Sequence, residues 1–455
     1  DRLSFDHSWS YSRVTASRSI TNNGSPGGVI VTALNLDPTE PVRKENGDFN
    51  FPSFVGRFDI NPLAELETGI NDLRNNRFFG STQASFDLLE GLTLKQRFGT
   101  DLVFNNRDTF FPTTTQIGRD QDTQLEKAER SIRDILSETT VSYDGQLTSR
   151  QTLNAVGGYS FQDAVNRFSS AQTRELPTDN FDSASLQTGG DAQIPQSERV
   201  EWNLQSFFGR FNYTFDERYL VTFTLRRDGS SRFGENNQWA NFPSGAIAWR
   251  VSNESFFEES ALGDVVSNLK VRGSWGLTGN SEIPVFQSIG GLESSNFVLG
   301  NQLASGLSPN RIPNPDLQWE ETTMRNIGVD LGLFANRLNL SFEYFDNETD
   351  ELLLNVNIPS SNGFQSQLRN TGSLENTGFE MEADYLALDR ESFAWNLSGN
   401  LSVLNNELTS LGGTEPFFTG CSACNHLGTN GAWITSGESV GVWRGFEATG
   451  IWQSQ

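Results

Sequence analysis

Few side chains in this sequence could do covalent chemistry. Only two histidines occur, His7 and His426, so few side chains could serve as the general base of a histidine-containing catalytic triad. The zinc-protease pattern HExxH and the phosphate-binding P-loop pattern are both absent. We therefore predict that the chain is not an enzyme and binds no cofactor.

One cysteine motif stands out, Cys421-Ser-Ala-Cys424-Asn-His426. A c-type haem site requires CxxCH, and Asn425 interrupts that pattern. A structural zinc site takes four ligands, and no fourth candidate is close in sequence. A small loop disulfide between Cys421 and Cys424, or two thiols without a role, is the favoured interpretation over a metal site.

Paired carboxylates could do acid–base work, as in glycosidases, if burial raised the pKa of one of them. Glu320 and Glu321 are adjacent, and Glu380 and Glu382 share one face of a predicted strand. We expect Glu380 and Glu382 to be part of a polar lining. The acidic clusters Asp120–Asp122 and Glu254–Glu259 are expected to be solvated.

These side chains are positioned by strands whose apolar residues alternate with polar ones at period two. Between Tyr219 and Arg226, for example, every odd-numbered residue is aromatic or aliphatic, and three of the four even-numbered residues are threonine or arginine. Such segments predict strands with one apolar and one polar face. The predicted apolar faces carry Phe207, Phe211, Tyr213 and Phe215; Tyr219, Val221, Phe223 and Leu225; Leu269, Val271, Trp275 and Leu277; Ile327, Val329, Leu331 and Leu333; Leu338, Leu340, Phe342 and Tyr344; and Phe393, Trp395, Leu397, Leu401 and Val403.

Short and long links between these segments alternate along the chain, a pattern typical of outer-membrane barrels. Several segments reach the roughly 9–11 residues that cross a bilayer. We predict an all-β fold, a transmembrane antiparallel β-barrel of about 14 strands. Short links are predicted near 89–91, 145–149, 216–218, 335–337 and 387–391, a longer one of the same kind at 253–266, and long links near 105–133, 163–199, 227–242, 280–317, 347–370 and 406–440.

Composition supports a thin apolar band around a polar interior. Hydrophobic residues make up 35% of the 455 residues, yet there are 35 Phe, 10 Trp and 42 Gly. Lys and Arg number 33 against 57 Asp and Glu, so the net charge is 33 − 57 = −24. That balance argues against a nucleic-acid partner, which requires a basic footprint.

Several tracts resemble the SusC/RagA family of TonB-dependent transporters of Bacteroidota. The densest contains RYL, RDGSSRFG, FPS and AWR followed by NESFF. Together the matching tracts keep their order and cover roughly a third of the chain. They are Ser206–Phe257, Leu269–Asn280, Asn314–Leu354, Asn370–Glu382 and Gly437–Gln455.

The resemblance implies a 22-stranded barrel of which residues 1–455 are a central part. It also implies an N-terminal plug, a TonB-contacting segment and final strands, which we expect to lie outside this sequence. The implied partners are a SusD-like surface lipoprotein, the TonB–ExbB–ExbD complex, outer-membrane lipid and an oligosaccharide or peptide ligand. The implied location is the bacterial outer membrane.

Aromatic residues on the predicted external loops are the candidate ligand-binding residues, because their rings could stack on sugars or peptide side chains. They could equally hold the loops together or contact a lid. These residues are Trp239, Phe242, Phe364, Phe417, Phe418 and Trp433. Three alternatives to a nutrient importer stay open: a siderophore or cobalamin receptor, a passive porin and a soluble β-rich adhesin.

Overall fold

A computed structural model of the chain describes residues 2–19, 28–51, 61–180, 183, 185–418, 432–443 and 450. Helices are short and lie in the connections. In the described part, none is long and apolar enough to cross a membrane, a finding that has no bearing on β-barrels. They are α1 (Val29–Asn35), α2 (Pro62–Thr68), α3 (Gln116–Asp120) and α4 (Ser255–Glu258), with 3₁₀ turns at Leu186–Thr188, Val251–Asn253 and Ser360–Asn362.

Strands dominate the structure, and the main ones, of 12 to 25 residues, are much longer than those of typical soluble sheets. In chain order they are β1 (Leu3–Ser17), β2 (Ile70–Leu89), β3 (Leu92–Phe111), β4 (Gln124–Thr148), β5 (Gln151–Arg174), β6 (Asp191–Ala192), β7 (Gln196–Phe215), β8 (Tyr219–Ser230), β9 (Trp239–Arg250), β10 (Val266–Asn280), β11 (Gly291–Leu299), β12 (Gln302–Arg311), β13 (Glu320–Leu333), β14 (Leu338–Asp350), β15 (Leu353–Asn357), β16 (Ser366–Asn370), β17 (Ser373–Arg390), β18 (Phe393–Ser410), β19 (Phe417–Phe418), β20 (Ala432–Ile434) and β21 (Val442–Trp443).

One antiparallel sheet of 14 strands organises the described residues. Its order is β1-β2-β3-β4-β5-β7-β8-β9-β10-β13-β14-β17-β18, with β6 paired to β5. Each long strand therefore pairs with the long strands before and after it in the chain, the up-and-down order of a barrel wall. The sheet remains open, with β1 and β18 at its edges. The predicted all-β class and strand number are confirmed.

The two faces of the sheet differ in the way the alternation predicted. Along β8, Tyr219, Val221, Phe223 and Leu225 are exposed, whereas the residues between them are half-buried. Phe223 is 52% exposed. An exposed apolar face this extensive would be costly in water but matches hydrocarbon.

Register places these apolar residues side by side in a continuous outward band. Phe223 pairs with Phe211 on one side and Gly245 on the other. At the end of the band nearest the short turns, the rings of Phe215 and Tyr219 stack with centroids 6.3 Å apart. Such aromatic pairs are typical of the girdle at a membrane interface.

Short and long connections alternate as predicted except beside β9, where 231–238 is shorter than 251–265, and several of the long ones are shorter than predicted. The predicted long link near 105–133, for instance, is reduced to 112–123, because β3 and β4 continue to pair as far as Phe111 and Gln124. Ladder hydrogen bonds persist there although the residues no longer alternate clearly between polar and apolar. A long connection that the sequence did not reveal joins β1 and β2 and contains α1 and α2.

The connection between β9 and β10 is held by one buried carboxylate, Glu254, which is 8% exposed. Tyr219 Oη donates to its Oε1 at 2.6 Å, and Trp249 Nε1 donates to the same oxygen at 3.0 Å. Arg218 Nη1 lies 3.1 Å from its Oε2. The expectation that Glu254 is solvated was therefore wrong. The tracts RYL, AWR and NESFF therefore meet in the fold, because RYL supplies Arg218 and Tyr219, AWR supplies Trp249 and NESFF supplies Glu254.

Glu254 should make stability pH-dependent. Hydrogen bonds from Tyr219, then Trp249, hold the pKa of Glu254 below that of an ordinary glutamate. A depressed folded-state pKa contributes stability that is present above the unfolded-state value, near about 4.3, and is lost as pH falls through the folded-state value. We expect Glu254→Gln to lower the melting temperature at pH 7, with the difference closing below about pH 4.

Glu258→Gln is the control for this measurement, since Glu258 is exposed in the same connection. It should leave the melting temperature unchanged throughout. A pH-independent difference between Glu254→Gln and the parent would show that the negative charge of Glu254 does not matter.

Candidate functional site

The inner face of the wall carries a network of ion pairs on β10, β13 and β14. Asp330 lies 2.9 Å from Lys270 Nζ and 3.4 Å from Arg272 Nε, and Ser341 Oγ donates to it at 3.0 Å. Arg272 Nη1 also reaches Glu343 at 2.5 Å. Because every side chain in this network is half-buried and charged or polar, this part of the lumen is a hydrated, hydrogen-bonding surface.

Gly328 allows that network to span three strands. It lies between Arg272 and Glu343 in the register, so the arginine must pass over it to reach the carboxylate. A Cβ at Gly328 would meet Arg272 Cζ at 2.7 Å. Glycine at this position therefore gives the guanidinium the space that the ion pair needs.

Gly328→Ala should displace Arg272 from Glu343 and cost about 1–2 kcal/mol of stability. A double-mutant cycle with Glu343→Gln, read out by denaturant unfolding of the full-length protein, isolates the effect, because the cost should shrink once the carboxylate is gone. Gly399→Ala is the matched control, since a Cβ there has nothing within 4 Å. Additive losses in the cycle would contradict the proposed role of Gly328.

Glu380 and Glu382 lie next to this network on β17. Glu380 pairs with Glu343 in the register, and Ser402 Oγ donates to it at 3.4 Å. Together with Arg272 and Ser341, both glutamates line a concavity of ≈ 470 Å³ on the wall. The predicted polar lining is thus what the inner face provides, with no sign of the buried acid of a glycosidase.

At the end of the long connections, an apolar cluster forms the base of two of them. We call it the loop-root core. Phe233, Ile283 and Leu317 come from connections, and Phe242 is part of β9. Trp319 completes the cluster, with its ring 5.0 Å from that of Phe233 and its Nε1 donating to Gln238 O at 3.0 Å. The cluster therefore ties the connections 231–238 and 281–319 to the wall.

Arg232 adds hydrogen bonds to backbone carbonyls next to the loop-root core. Its Nη1 donates to the carbonyl oxygens of Ser281 and Ile283 at 3.1 and 3.2 Å, and its guanidinium lies 4.6 Å from the centre of the Trp202 ring. Since an arginine that satisfies carbonyls of a neighbouring connection fixes that connection, Arg232 acts as a structural anchor.

Two predicted site residues, Trp239 and Phe242, do not lie in an external loop; that prediction was wrong. Both belong to β9, because the ladder with β8 continues to Gly229 and Trp239. Phe242 is only 7% exposed and packs in the loop-root core. Trp239 lies outside, stacked on Phe207 at 6.1 Å with Arg227 over its ring. These positions favour structural roles, and contact of either residue with a ligand stays a prediction.

The remaining predicted aromatics do lie in the long connections. Phe364 is half-buried near the tip of the β15–β16 hairpin. Phe418 of β19 and Trp433 of β20 form a ring pair 4.6 Å apart, and Phe417 packs against a cluster of Leu408, Leu411 and Ile434. Cys421 and Cys424 lie outside the described residues. The ligand-binding role of these aromatics and the disulfide both stay predictions.

One motif escaped the sequence analysis. Residues Gly437–Gly441, GESVG, have the GxSxG spacing of a nucleophile elbow, which requires a strand–turn–helix context. Here the tract is a turn between β20 and β21, and Ser439 Oγ donates to Asn406 O at 2.7 Å. Within the described part of the chain, no group of three His, Cys, Asp or Glu residues could hold a metal ion.

Comparisons with known proteins agree with this geometry. The family described as TonB dependent receptor-like, beta-barrel, matches residues 6–438. The chain belongs to this family. Its location is therefore the bacterial outer membrane, as predicted.

Individual relatives identify the type within the TonB-dependent receptors. The chain is 30% identical to TonB-dependent receptor P3 of Formosa agariphila, over 95% of this chain and 43% of the relative. It is 30% identical to TonB-dependent receptor SusC of Bacteroides thetaiotaomicron, over 86% of this chain and 40% of the relative. The solved RagAB peptide importer in its open-open state superposes with a TM-score of 0.78 and 25% identity, over 96% and 47% of the two chains.

These matches confirm the resemblance to the SusC/RagA type of TonB-dependent receptor. The chain spans less than half the length of each of these relatives. Its family is one of receptors and transporters, which agrees with the prediction that its task is not enzymatic.

Proposed function

We propose that the full-length protein imports oligomeric nutrients, either glycans or peptides, across the outer membrane. Uptake is driven through TonB–ExbB–ExbD, and a SusD-like surface lipoprotein acts as a lid. The observation that carries the proposal is a barrel wall with a charged inner face and with long connections rooted at one end. The likeness to SusC and to the RagAB importer supports it.

The inner wall suits the passage of a polar oligomer. Lys270, Arg272 and Asp330 are held by one another, so they present oriented donors and acceptors without collapsing onto a ligand. A wide lumen of this kind must be closed by a plug to avoid a leak. Movement of the ligand then needs conformational work on the plug and no covalent chemistry.

The long connections offer a surface for the lid. The hairpin formed by β11 and β12 exposes three large apolar side chains near its tip, with Val298, Leu299 and Leu303 at 72, 76 and 74% exposed. Exposed apolar surface of this kind marks interaction sites. A lid that covered it would also offset the entropy lost when loops order around a ligand.

Co-purification from outer membranes combined with growth tests examines the proposal. We expect the full-length protein to retain a SusD-like lipoprotein and to support growth on oligosaccharides or peptides only when TonB is present. Iron-limited growth that requires the protein would favour a siderophore receptor. Purification without a partner, with uptake that persists after deletion of TonB, would point to a porin and refute the proposal.

A further inference from the structure

Aromatic residues mark both edges of the outward apolar band along β9. Near the short turns, Trp249 is the register partner of Tyr219, and towards the long connections Trp239 is the register partner of Gly229. The two tryptophans are 249 − 239 = 10 residues apart. With a rise of about 3.3 Å per residue and a tilt of about 40°, their heights differ by about 25 Å. That is the height of the lipid-facing band of an outer-membrane barrel, so Trp239 lies at the interface on the side of the long connections.

Trp239 ends an aromatic row that crosses four strands at this edge of the band. Its ring lies 6.1 Å from the ring of Phe207, which in turn lies 5.0 Å from the ring of Tyr159. The indole covers Gly229, where a Cβ would meet Trp239 Cε2 at 2.6 Å. Trp239 is nevertheless 40% exposed. The row therefore packs against the wall and still offers ring surface to the membrane interface.

Arg227 lies directly on the membrane side of Trp239. Its Cζ is 5.5 Å from the centre of the Trp239 ring, and its register partners are Phe207 and Asn241. The next outward residue of β8 towards the middle of the band is Leu225, which is exposed and apolar. The guanidinium of Arg227 thus adjoins the apolar band with no polar outward residue of its own strand between them.

The charge of Arg227 is not compensated within the described part of the chain. Arg227 is exposed and has no ion pair with any described residue, and its register partners Phe207 and Asn241 are uncharged. Arg133, another exposed arginine of the outward face, differs in this respect because its Nη2 lies 2.8 Å from Asp163 Oδ2. An unpaired cation at the edge of a hydrocarbon layer is stabilised by an anionic group among the lipid head groups.

We propose that Arg227, Trp239 and Asn241 bind the phosphorylated sugar head group of an outer-leaflet glycolipid. The phosphate pairs with the guanidinium, and the amide of Asn241 and the indole N–H of Trp239 bind sugar hydroxyls. The acyl chains lie along Leu225 and the band beyond it. Free phosphate gains nothing from the band, and a phospholipid lacks the sugar hydroxyls. The inference rests on the outer-membrane location with the long connections outside, and it does not depend on the proposed import function.

Native mass spectrometry of the full-length protein in dodecyl maltoside micelles tests the site, with diphosphoryl lipid A as the titrated probe. We expect the affinity for the probe to fall about tenfold in Arg227→Gln, because one charge-assisted interaction is lost. Arg227→Lys should retain most of the affinity, since an ammonium group also pairs with phosphate. Lipid A stripped of its phosphates, with the same acyl chains, should bind the parent and Arg227→Gln equally weakly.

Arg133→Gln is the matched control, because Arg133 is an outward arginine that Asp163 already neutralises. It should bind the probe like the parent. Heat-modifiable mobility on gels reports folding, and Asn241→Ala, which should weaken the binding of lipid A but not that of phosphatidylglycerol, repeats the test if Arg227→Gln misfolds. An equal loss in Arg133→Gln would overturn the proposal. So would dephosphorylated lipid A, phosphatidylglycerol or inorganic phosphate that bound the parent as tightly as diphosphoryl lipid A.

Discussion

Replacing Phe223 by arginine should strongly reduce the stability of the folded barrel, by roughly 2–4 kcal/mol if the residue lies near the middle of the bilayer. Phe223 is in the outward apolar band, between Phe211 and Gly245 in the register. Arginine there would place a charge in hydrocarbon. The measurement is denaturant unfolding of the full-length protein in lipid vesicles.

Thr224→Arg is the paired control, one residue further along the same strand. Thr224 faces the lumen opposite Arg210 and Ser244, where water can solvate a guanidinium and screen its repulsion from Arg210 to about 1 kcal/mol or less. Its cost should be well under that of Phe223→Arg. Equal losses from the two variants would show that the inward and outward faces have been assigned wrongly.

Phe233→Ala should loosen the external connections at their base. Phe233 is 2% exposed in the loop-root core, and large-to-small changes at buried phenylalanines cost about 3–5 kcal/mol. Because about 1.4 kcal/mol is a factor of ten, amides of residues 231–238 should exchange hydrogen at least about a hundredfold faster. Hydrogen exchange followed by mass spectrometry measures this, and the barrel strands should keep their protection.

Phe297→Ala provides the comparison, since Phe297 belongs to the other connection held by the loop-root core, 281–319, but is exposed. It should change stability by no more than about 0.5 kcal/mol. If Phe233→Ala left exchange at 231–238 as slow as in the parent, the loop-root core would not be what holds those connections.

The strand faces could be predicted from sequence because lipid and water impose a strict period of two. Along β8, each residue from Tyr219 to Leu225 was assigned to the face that the structure shows. The ends of the strands could not be predicted in this way. Beyond the band, Asp163 and Arg167 occupy the outward face in place of apolar residues, and backbone pairing with β7 continues without a hydrophobic pattern to reveal it.

The site was less predictable, because its contacts join residues far apart in sequence. Phe242 and Trp319 meet in the loop-root core only through the register of β9, β10 and β13. Similarly, Glu254 appeared to be one acid in an exposed cluster until the fold brought Tyr219 and Trp249 to it. The one advance signal was the resemblance, whose tracts FPS and NPDLQWEE contain Phe242 and Trp319 and whose tract NESFF contains Glu254.

Labelling of single cysteines on intact cells tests the central claim, that this sheet is an outer-membrane barrel wall with its long connections outside. In a Cys421→Ser/Cys424→Ser background, one variant has a cysteine in place of Asn301, at the exposed tip of the β11–β12 hairpin, and the other has one in place of Glu217, in the short turn between β7 and β8. A membrane-impermeant maleimide should label the Asn301 variant on intact cells and the Glu217 variant only after the cells are opened. Labelling of the Glu217 variant on intact cells, with Asn301 protected, would contradict the topology on which the proposed import function depends.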